Sequence, residues 1–428
     1  MSARTKSGRR SGKPPFPTMT AGPSLAPSSQ TVAKGDRSQQ AAAGTPAPIS
    51  ITMLGALPPW RGVAPYTRHL MDGLEGVEEL EVEFLDFISL YPPRLYPGGE
   101  PFDKNGSRPS FRRVRMRRLL AWYNPLSWLW AGLTLRGRVL HAQWWSYVLA
   151  PVYLVVMGLA RLRGRRVILT LHNVLPHEAA LWRRWLFQSV FRLAHRFIVH
   201  SERNARVLLE QYPRATGRVT VVPMGIHKVT SGQNLSRQQA RERLELPAES
   251  PVILAFGNIR PYKGLDVLLR ALRRVVDAGH EATLLVAGQP WDSFDGSQRL
   301  IDELDLAAHV RLRLEYLPES EVEACFAAAD LAVFPYTHFD AQSAAATLAL
   351  SSGVPLVVSD VGGLPDLVDD ARAVVPANDP EALAQTLRTV LDDEALLAKL
   401  AADAKRRAAE LDWGVIARRT VEVYRAIG

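Results

Sequence analysis

The chain has 428 residues, 47% hydrophobic and 22% charged, with 29 Gly and 30 Pro. At roughly 100–200 residues per domain that length implies two domains, and collagen-like, coiled-coil and wholly disordered classes are excluded. The formal charge of +9 is uneven: residues 1–48 carry +6, 49–230 carry +13 and 231–428 carry −10, so a basic body joined to an acidic one is expected to face different partners.

Residues 1–48 are dominated by Ser, Gly, Pro, Ala, Thr and basic side chains, with no apolar segment of core size. Such a stretch cannot repay the entropy of ordering and lacks the apolar run of a secretory signal. It is expected to be a disordered basic tail, either solubilising or reaching anionic lipid or nucleic acid. From Ile49 short apolar strands alternate with amphipathic helices, the pattern of an α/β protein. Ile49–Met53 reads as a strand, followed by the turn-rich Gly55–Gly62 and a helix from about Ala64 to Leu74. Leu80–Phe87, Arg138–Gln143 with His141, and Arg166–Leu171 leading into His172 read as further strands. The most apolar run, Tyr147–Ala160, has 14 residues, fewer than the ~20 that span a bilayer, and reads as a buried helix. Phe197–Ser201 and Thr220–Pro223 complete the first sheet, with the helix Glu202–Gln211 between them.

The polar residues 229–248 read as a linker, after which the rhythm restarts. Pro251–Phe256, Ala282–Ala287, Val310–Glu315, Leu331–Pro335 and Pro355–Ser359 are expected strands; Gly264–Ala278, Ser320–Ala328 and Ser343–Leu350 are expected helices. Apolar runs this continuous suit parallel strands covered on both faces. The single cysteine, Cys325, forbids an internal disulfide or a Cys-based metal cluster and fits a reducing, cytoplasmic compartment; its apolar neighbours mark it as a small buried hydrophobe. Two doubly wound domains are therefore expected, over 49–230 and 231–411. A helix over 412–428 would follow, with Trp413, Ile416, Val421 and Tyr424 on a face that must dock on one of the domains, the first included. Ligands of such sheets sit outside the carboxyl ends of the strands.

Three glycine-bearing turns lie at such ends. Gly257-Asn258-Ile259-Arg260-Pro261-Tyr262-Lys263-Gly264 follows a strand and opens a helix. Its glycines permit close backbone approach, the helix start offers positive potential, and Arg260 with Lys263 adds two cations, a combination suited to a diphosphate. Pro58–Ala64, with Gly62, and Asp360–Asp366, with Gly362 and Gly363, are the others; each alone is an ordinary turn.

Phe256–Leu265, the Gly362-Gly363 pair, the strand exit Val222–Ile226 and the terminal Trp413–Tyr424 segment together resemble retaining glycosyltransferases of family 4. The resemblance covers about residues 49–428. It implies the GT-B fold, two Rossmann-like domains around a nucleotide-sugar cleft, and transfer of a sugar from a nucleotide diphosphate donor to a hydroxyl with retained configuration. By the same resemblance Arg260 and Lys263 hold the diphosphate, and Gly62 belongs to the first glycine loop, where Arg61 replaces a glycine usual in the family. His172 would orient the donor sugar; His141, His177 and Glu178 are lesser candidates. The family's paired Glu positions hold Asp340 and Leu348, counting back from Gly353-Val354-Pro355, so only Asp340 can accept from donor hydroxyls. Gln342, Ser343 and Ala344 stand at the helix start facing phosphate. No metal and no cofactor are expected, the nucleotide-sugar being a co-substrate.

Arg108–Arg118 holds six Arg and no acid, and Trp122, Tyr123, Trp128 and Trp130 follow. Arg112, Arg113, Arg115, Arg117, Arg118 and Trp122 are the expected acceptor side. They suit either the headgroups of an anionic membrane or an ordinary solvated basic face; no nucleic-acid recognition motif accompanies them. The expected activity is hexosyl transfer to a lipid-linked saccharide in surface polysaccharide or glycolipid synthesis, by a peripheral protein at the inner face of the cell membrane. A non-catalytic subunit scaffolding a partner transferase, or a sugar-nucleotide epimerase of the same fold, are the alternatives.

Overall fold

Two parallel sheets carry the fold. The computed structural model describes residues 48–60, 62–91, 107–173, 181–226, 232–291, 293–339 and 343–427. The expected tail, Arg61, His177, Glu178, Asp340 and Gln342 lie outside the described residues.

The first sheet contains β1 (Ile49–Leu54), β2 (Leu80–Ser89), β3 (Val114–Ala121), β4 (Val139–Trp144), β5 (Arg166–Leu171), β6 (Arg196–Val199) and β7 (Val219–Val221), in the order β3-β2-β1-β4-β5-β6-β7. Its helices are α1 (Ala64–Glu75), α2 (Pro125–Leu133), α3 (Ala150–Leu162), α4 (Leu181–Phe191) and α5 (Glu202–Gln211). The second contains β8 (Val252–Phe256), β9 (Thr283–Ala287), β10 (Val310–Arg313), β11 (Leu331–Phe334), β12 (Leu356–Ser359) and β13 (Val374–Val375), in the order β10-β9-β8-β11-β12-β13. Around it lie α6 (Arg237–Arg243), α7 (Leu265–Asp277), α8 (Asp295–Glu303), α9 (Glu319–Ala328), α10 (Ala344–Ser351), α11 (Pro380–Asp392) and α12 (Glu394–Glu410); α13 (Trp413–Arg425) closes the chain.

Each sheet reverses its strand order beside its first strand, which leaves a crevice outside the carboxyl ends of β1 and β4 in one and of β8 and β11 in the other. Central strands are buried throughout, as in β4 and β11, because helices cover both faces. α7 buries Leu268, Leu269, Leu272 and Val275 and turns its Arg side chains outward.

Two segments differ from the sequence reading, and a third, the terminal helix, docks on the first domain. The run Arg108–Arg118 leads into β3, the edge of the first sheet, where charged side chains block pairing with another chain. The stretch 229–248 contains α6, whose start is fixed by a capping box between Ser236 and Gln239. Its Arg241 is buried and held by Asp330 at 2.6 Å and by the carbonyls of Ala328, Pro247 and Ala248. A polar composition concealed that anchor. Helix α13 packs on α1: a Cβ at Gly73 would lie 2.7 Å from the Trp413 carbonyl oxygen, and Trp413 Nε1 donates to the Ile226 carbonyl at 2.9 Å.

Candidate functional site

At the exit of β8 the chain meets β9 and β11 with little room. Gly257 has φ +107°, and a Cβ on Gly288 would stand 2.3 Å from the Gly257 carbonyl oxygen. A single 3₁₀ turn, Pro261–Lys263, ends at Gly264 in the left-handed region, φ +69°; a Cβ there would lie 2.0 Å from the Pro335 carbonyl oxygen. Gly264 is thus required for both conformation and space. The turn consequently folds against the exit of β11 and aims Lys263 back across Gly257. Lys263 Nζ sits 5.4 Å from the Tyr336 ring centroid in a recess lined by Phe256, Gly257, Pro335 and Tyr336. Burial, with the Arg260 charge nearby, brings its pKa down to about 8. The Arg260 guanidinium lies 3.8 Å over the Trp291 ring.

Gly257 is shared with a larger cavity of about 380 Å³, lined also by Asn258, Gln289, Glu315, Glu319, Ala344 and Leu348. Ala344 is the first residue of α10. Ser343 caps that helix, its buried Oγ accepting from the Ala346 amide at 3.3 Å and lying 2.8 Å from the Tyr336 hydroxyl. The Ser343 hydroxyl therefore serves the helix. Leu348 lines the cavity.

In the first sheet His172 follows β5 within a hydrogen-bonded chain. His200 Nδ1 donates to the Val222 carbonyl at 3.0 Å, because a carbonyl can only accept. His200 Nε2 lies 3.3 Å from His172 Nδ1, and His172 Nε2 lies 2.7 Å from Gln143 Oε1. Gln143 continues toward His141, whose ring nitrogens meet the Thr170 hydroxyl at 2.6 Å and the Tyr424 hydroxyl of α13 at 2.7 Å. Tyr66 packs edge-on to His172 at 4.6 Å. Burial lowers the pKa of His141 to about 3 and of His200 to about 4, and holds His172 well below its ordinary value. Neutral rings oblige His172 to donate through Nδ1 and accept at Nε2, so Gln143 must turn its amide N–H toward that ring. With Oε1 facing it, His172 would need both protons. Both ring nitrogens are thus engaged inside the protein, which limits a sugar hydroxyl to a bond exchanged with Gln143.

Gly62 has φ +78° with open space where a Cβ would be. Among the arginines, Arg117 pairs with Glu83 at 3.1 Å and Arg118 with Asp86 at 3.6 Å, while Arg113 donates to the Glu78 carbonyl. Arg113 and Arg115 line a cavity of about 540 Å³ with Glu81, Glu83 and Arg136 at the amino ends of the strands, the opposite end of the sheet from His172. Arg112 is exposed, and Trp122, at the carboxyl end of β3, is half-buried. The acceptor-side residues are not brought together with His172. Sequence reading missed His200, Gln143, Tyr336 and Trp291. The available signal was a set of polar side chains, Gln143, Thr170 and His200, inside or just after strands that are otherwise apolar.

Residues 60–228 match Glycosyltransferase Family 4, and residues 236–409 match the glycosyl transferases group 1 family. The chain belongs to the glycosyltransferases. A D-inositol 3-phosphate glycosyltransferase of Kineococcus radiotolerans is 32% identical to this chain over 256 residues, 56% of this chain and 58% of that protein. One from Thermobispora bispora is 34% identical over 247 residues, 55% and 57% of the two chains. The chain thus matches under two thirds of the length of each. Among solved structures, Anabaena HepE in complex with UDP superimposes with TM-score 0.65 at 16% identity, covering 88% of this chain and all of that one. Sucrose-phosphate synthase from Thermosynechococcus elongatus does so with TM-score 0.62 at 19% identity, covering 88% and 98%. These likenesses, with the two parallel sheets, identify the GT-B fold.

Proposed function

We propose that this glycosyltransferase moves a hexosyl group from a nucleotide diphosphate sugar to a hydroxyl, with retained configuration and without a metal ion. The observation that carries this reading is the desolvated Lys263, aimed across Gly257 into a recess that shares that glycine with a 380 Å³ cavity. A diphosphate over Gly257 would meet the Lys263 ammonium, the Arg260 guanidinium and the amino end of α10. Negative charge grows on the departing nucleotide as the sugar–oxygen bond breaks, and cations fixed beforehand favour that state over the ground state. Those two cations take the part a metal ion would play. Among the described residues no three His, Cys, Asp or Glu side chains gather as metal ligands. HepE in complex with UDP-glucose supports the donor class. In this reading Gly62 admits the phosphate, His172 orients the donor through its ring, and Asp340 and Gln342 complete the donor side with the main chain at Ser343 and Ala344.

The acceptor is a lipid-linked saccharide in surface polysaccharide or glycolipid synthesis, and the enzyme works peripherally at the cytoplasmic face of an anionic membrane. Of the arginines expected on the acceptor side, the exposed Arg112 and Arg115 offer that membrane a basic face away from the reacting centre. No helix among the described residues is long and apolar enough to cross a membrane. The relatives' name favours a second acceptor, D-inositol 3-phosphate. The test supplies UDP-, GDP- and ADP-glucose, with either membrane lipid extract or D-inositol 3-phosphate. Label entering the lipid phase is the expected result; label entering inositol phosphate transfers the reading to the second acceptor. An epimerised donor without acceptor product would mark an epimerase, and no reaction with any pair would leave the scaffold alternative.

A further inference from the structure

Helix α2 is apolar on both sides, and among the described residues only one side is covered. Trp128, Ala131 and Gly132 are buried, and Gly132 is so close to α3 that a Cβ would lie 2.8 Å from Leu159. On the opposite side Leu126, Leu129, Trp130 and Leu133 recur at the i, i+3, i+4, i+7 spacing of a single stripe. Leu126 is 74% exposed, Trp130 63% and Leu133 53%. The helix has no charged residue. Tyr123, just before it, is exposed, as is Leu162 at the end of α3, at 84%. Arg163 joins the two helix ends by donating to the carbonyls of Gly132, Leu133 and Leu135. Apolar stripes of this kind are costly in water unless something covers them.

Charge identifies the cover. From Ser107 to Asn173 the sequence has twelve Arg and no Asp, Glu or Lys. Arg112, Arg138, Arg161 and Arg166 are exposed within this segment, as are Arg115 and Arg136, which share a cavity with Glu81 and Glu83. An apolar stripe with Trp and Tyr, set in a segment of undiluted positive charge, matches the interface of an anionic bilayer: acyl chains for Leu, the headgroup level for Trp and Tyr, phosphate for Arg.

We infer that α2 is the membrane-inserting element of this protein, its Leu126–Trp130–Leu133 stripe lying in the plane of an anionic lipid surface with arginines around it. The inference rests on the peripheral-membrane part of the proposed function and moves the contact from the arginines of residues 108–118, three of which (Arg113, Arg117 and Arg118) are engaged within the protein, to α2.

The test uses the full chain with vesicles of phosphatidylcholine alone or of phosphatidylcholine and phosphatidylglycerol at 3:1. The wild type should sediment with the anionic vesicles and not with the neutral ones. Trp130→Phe should abolish most of the quenching caused by bromine-labelled acyl chains. A Leu126→Ser, Trp130→Ser, Leu133→Ser variant should lose at least tenfold in partitioning while its melting temperature and UDP affinity stay unchanged. Undiminished binding of the triple variant would overturn the α2 assignment and leave the arginines as a purely electrostatic contact. No binding of the wild type to either vesicle would overturn both it and the membrane reading. A wild-type dimer that the triple variant dissolves would also overturn it, by showing that a second copy covers the stripe.

Discussion

Lys263 is the residue on which the proposed donor site turns, and its depressed pKa gives it a measurable signature. Burial and Arg260 disfavour the charged form, so in the free protein the ammonium is lost as pH rises through about 8. Folding then gains stability between about 8 and the ordinary lysine value near 10.4, where the unfolded chain still binds the proton. Diphosphate binding works the other way, since it favours the ammonium. Calorimetry should find UDP affinity falling about tenfold from pH 7.5 to 9.5 in the wild type, and almost flat in Lys263→Met, where overall affinity drops by about 10–100-fold. A pH-independent wild type would remove Lys263 from the anion. The sequence revealed these two cations and the glycines because turn chemistry is local. It did not reveal that Arg260 stacks on Trp291, 31 residues on, or that three histidines join through Gln143, because strand order decides both. The histidine chain makes its own prediction. Nitrogen NMR should find all three rings neutral at pH 7, with His200 protonated on Nδ1; an imidazolium signal from His172 would instead fix Gln143 with Oε1 toward it.

Among the elements, α13 carries the most consequence for its length. Its first residue, Trp413, stacks on His69, packs against Tyr66 and covers Gly225, where a Cβ would lie 2.4 Å from the indole. Its last turns deliver the buried Tyr424 to His141. Trp413→Ala should cost about 3–5 kcal/mol in chemical denaturation. Gly225→Ala should be destabilising alone and nearly neutral when combined with Trp413→Ala, because the indole is what its methyl meets. Equal penalties in both backgrounds would show that Gly225 is needed for its backbone alone. The strands of high apolar content were legible to within a residue or two, and α5 to the residue, since Ser201 caps it through the Asn204 amide. Among the elements that escaped were β3, whose arginines obscure a strand; α2, apolar on both sides and so without a polar face to mark it; and α6, whose polar surface conceals one buried Arg.

Across the whole molecule, both sheets begin from the same strand order, and repetition of the strand–helix rhythm in the sequence is what made the two-domain α/β reading possible. The charge asymmetry, +13 over residues 49–230 and −10 over 231–428, accords with the proposed lipid-facing first half and with a proposed diphosphate site in the second. The central claim is that Arg260 and Lys263 neutralise a diphosphate beside Gly257. Titration of UDP, GDP and ADP into the wild type and into an Arg260→Ala, Lys263→Ala variant of unchanged melting temperature tests it most directly. The account predicts that at least one of the three binds the wild type and that the variant loses about a hundredfold or more in its affinity, roughly 2.7 kcal/mol. Equal affinity in the two proteins would contradict it.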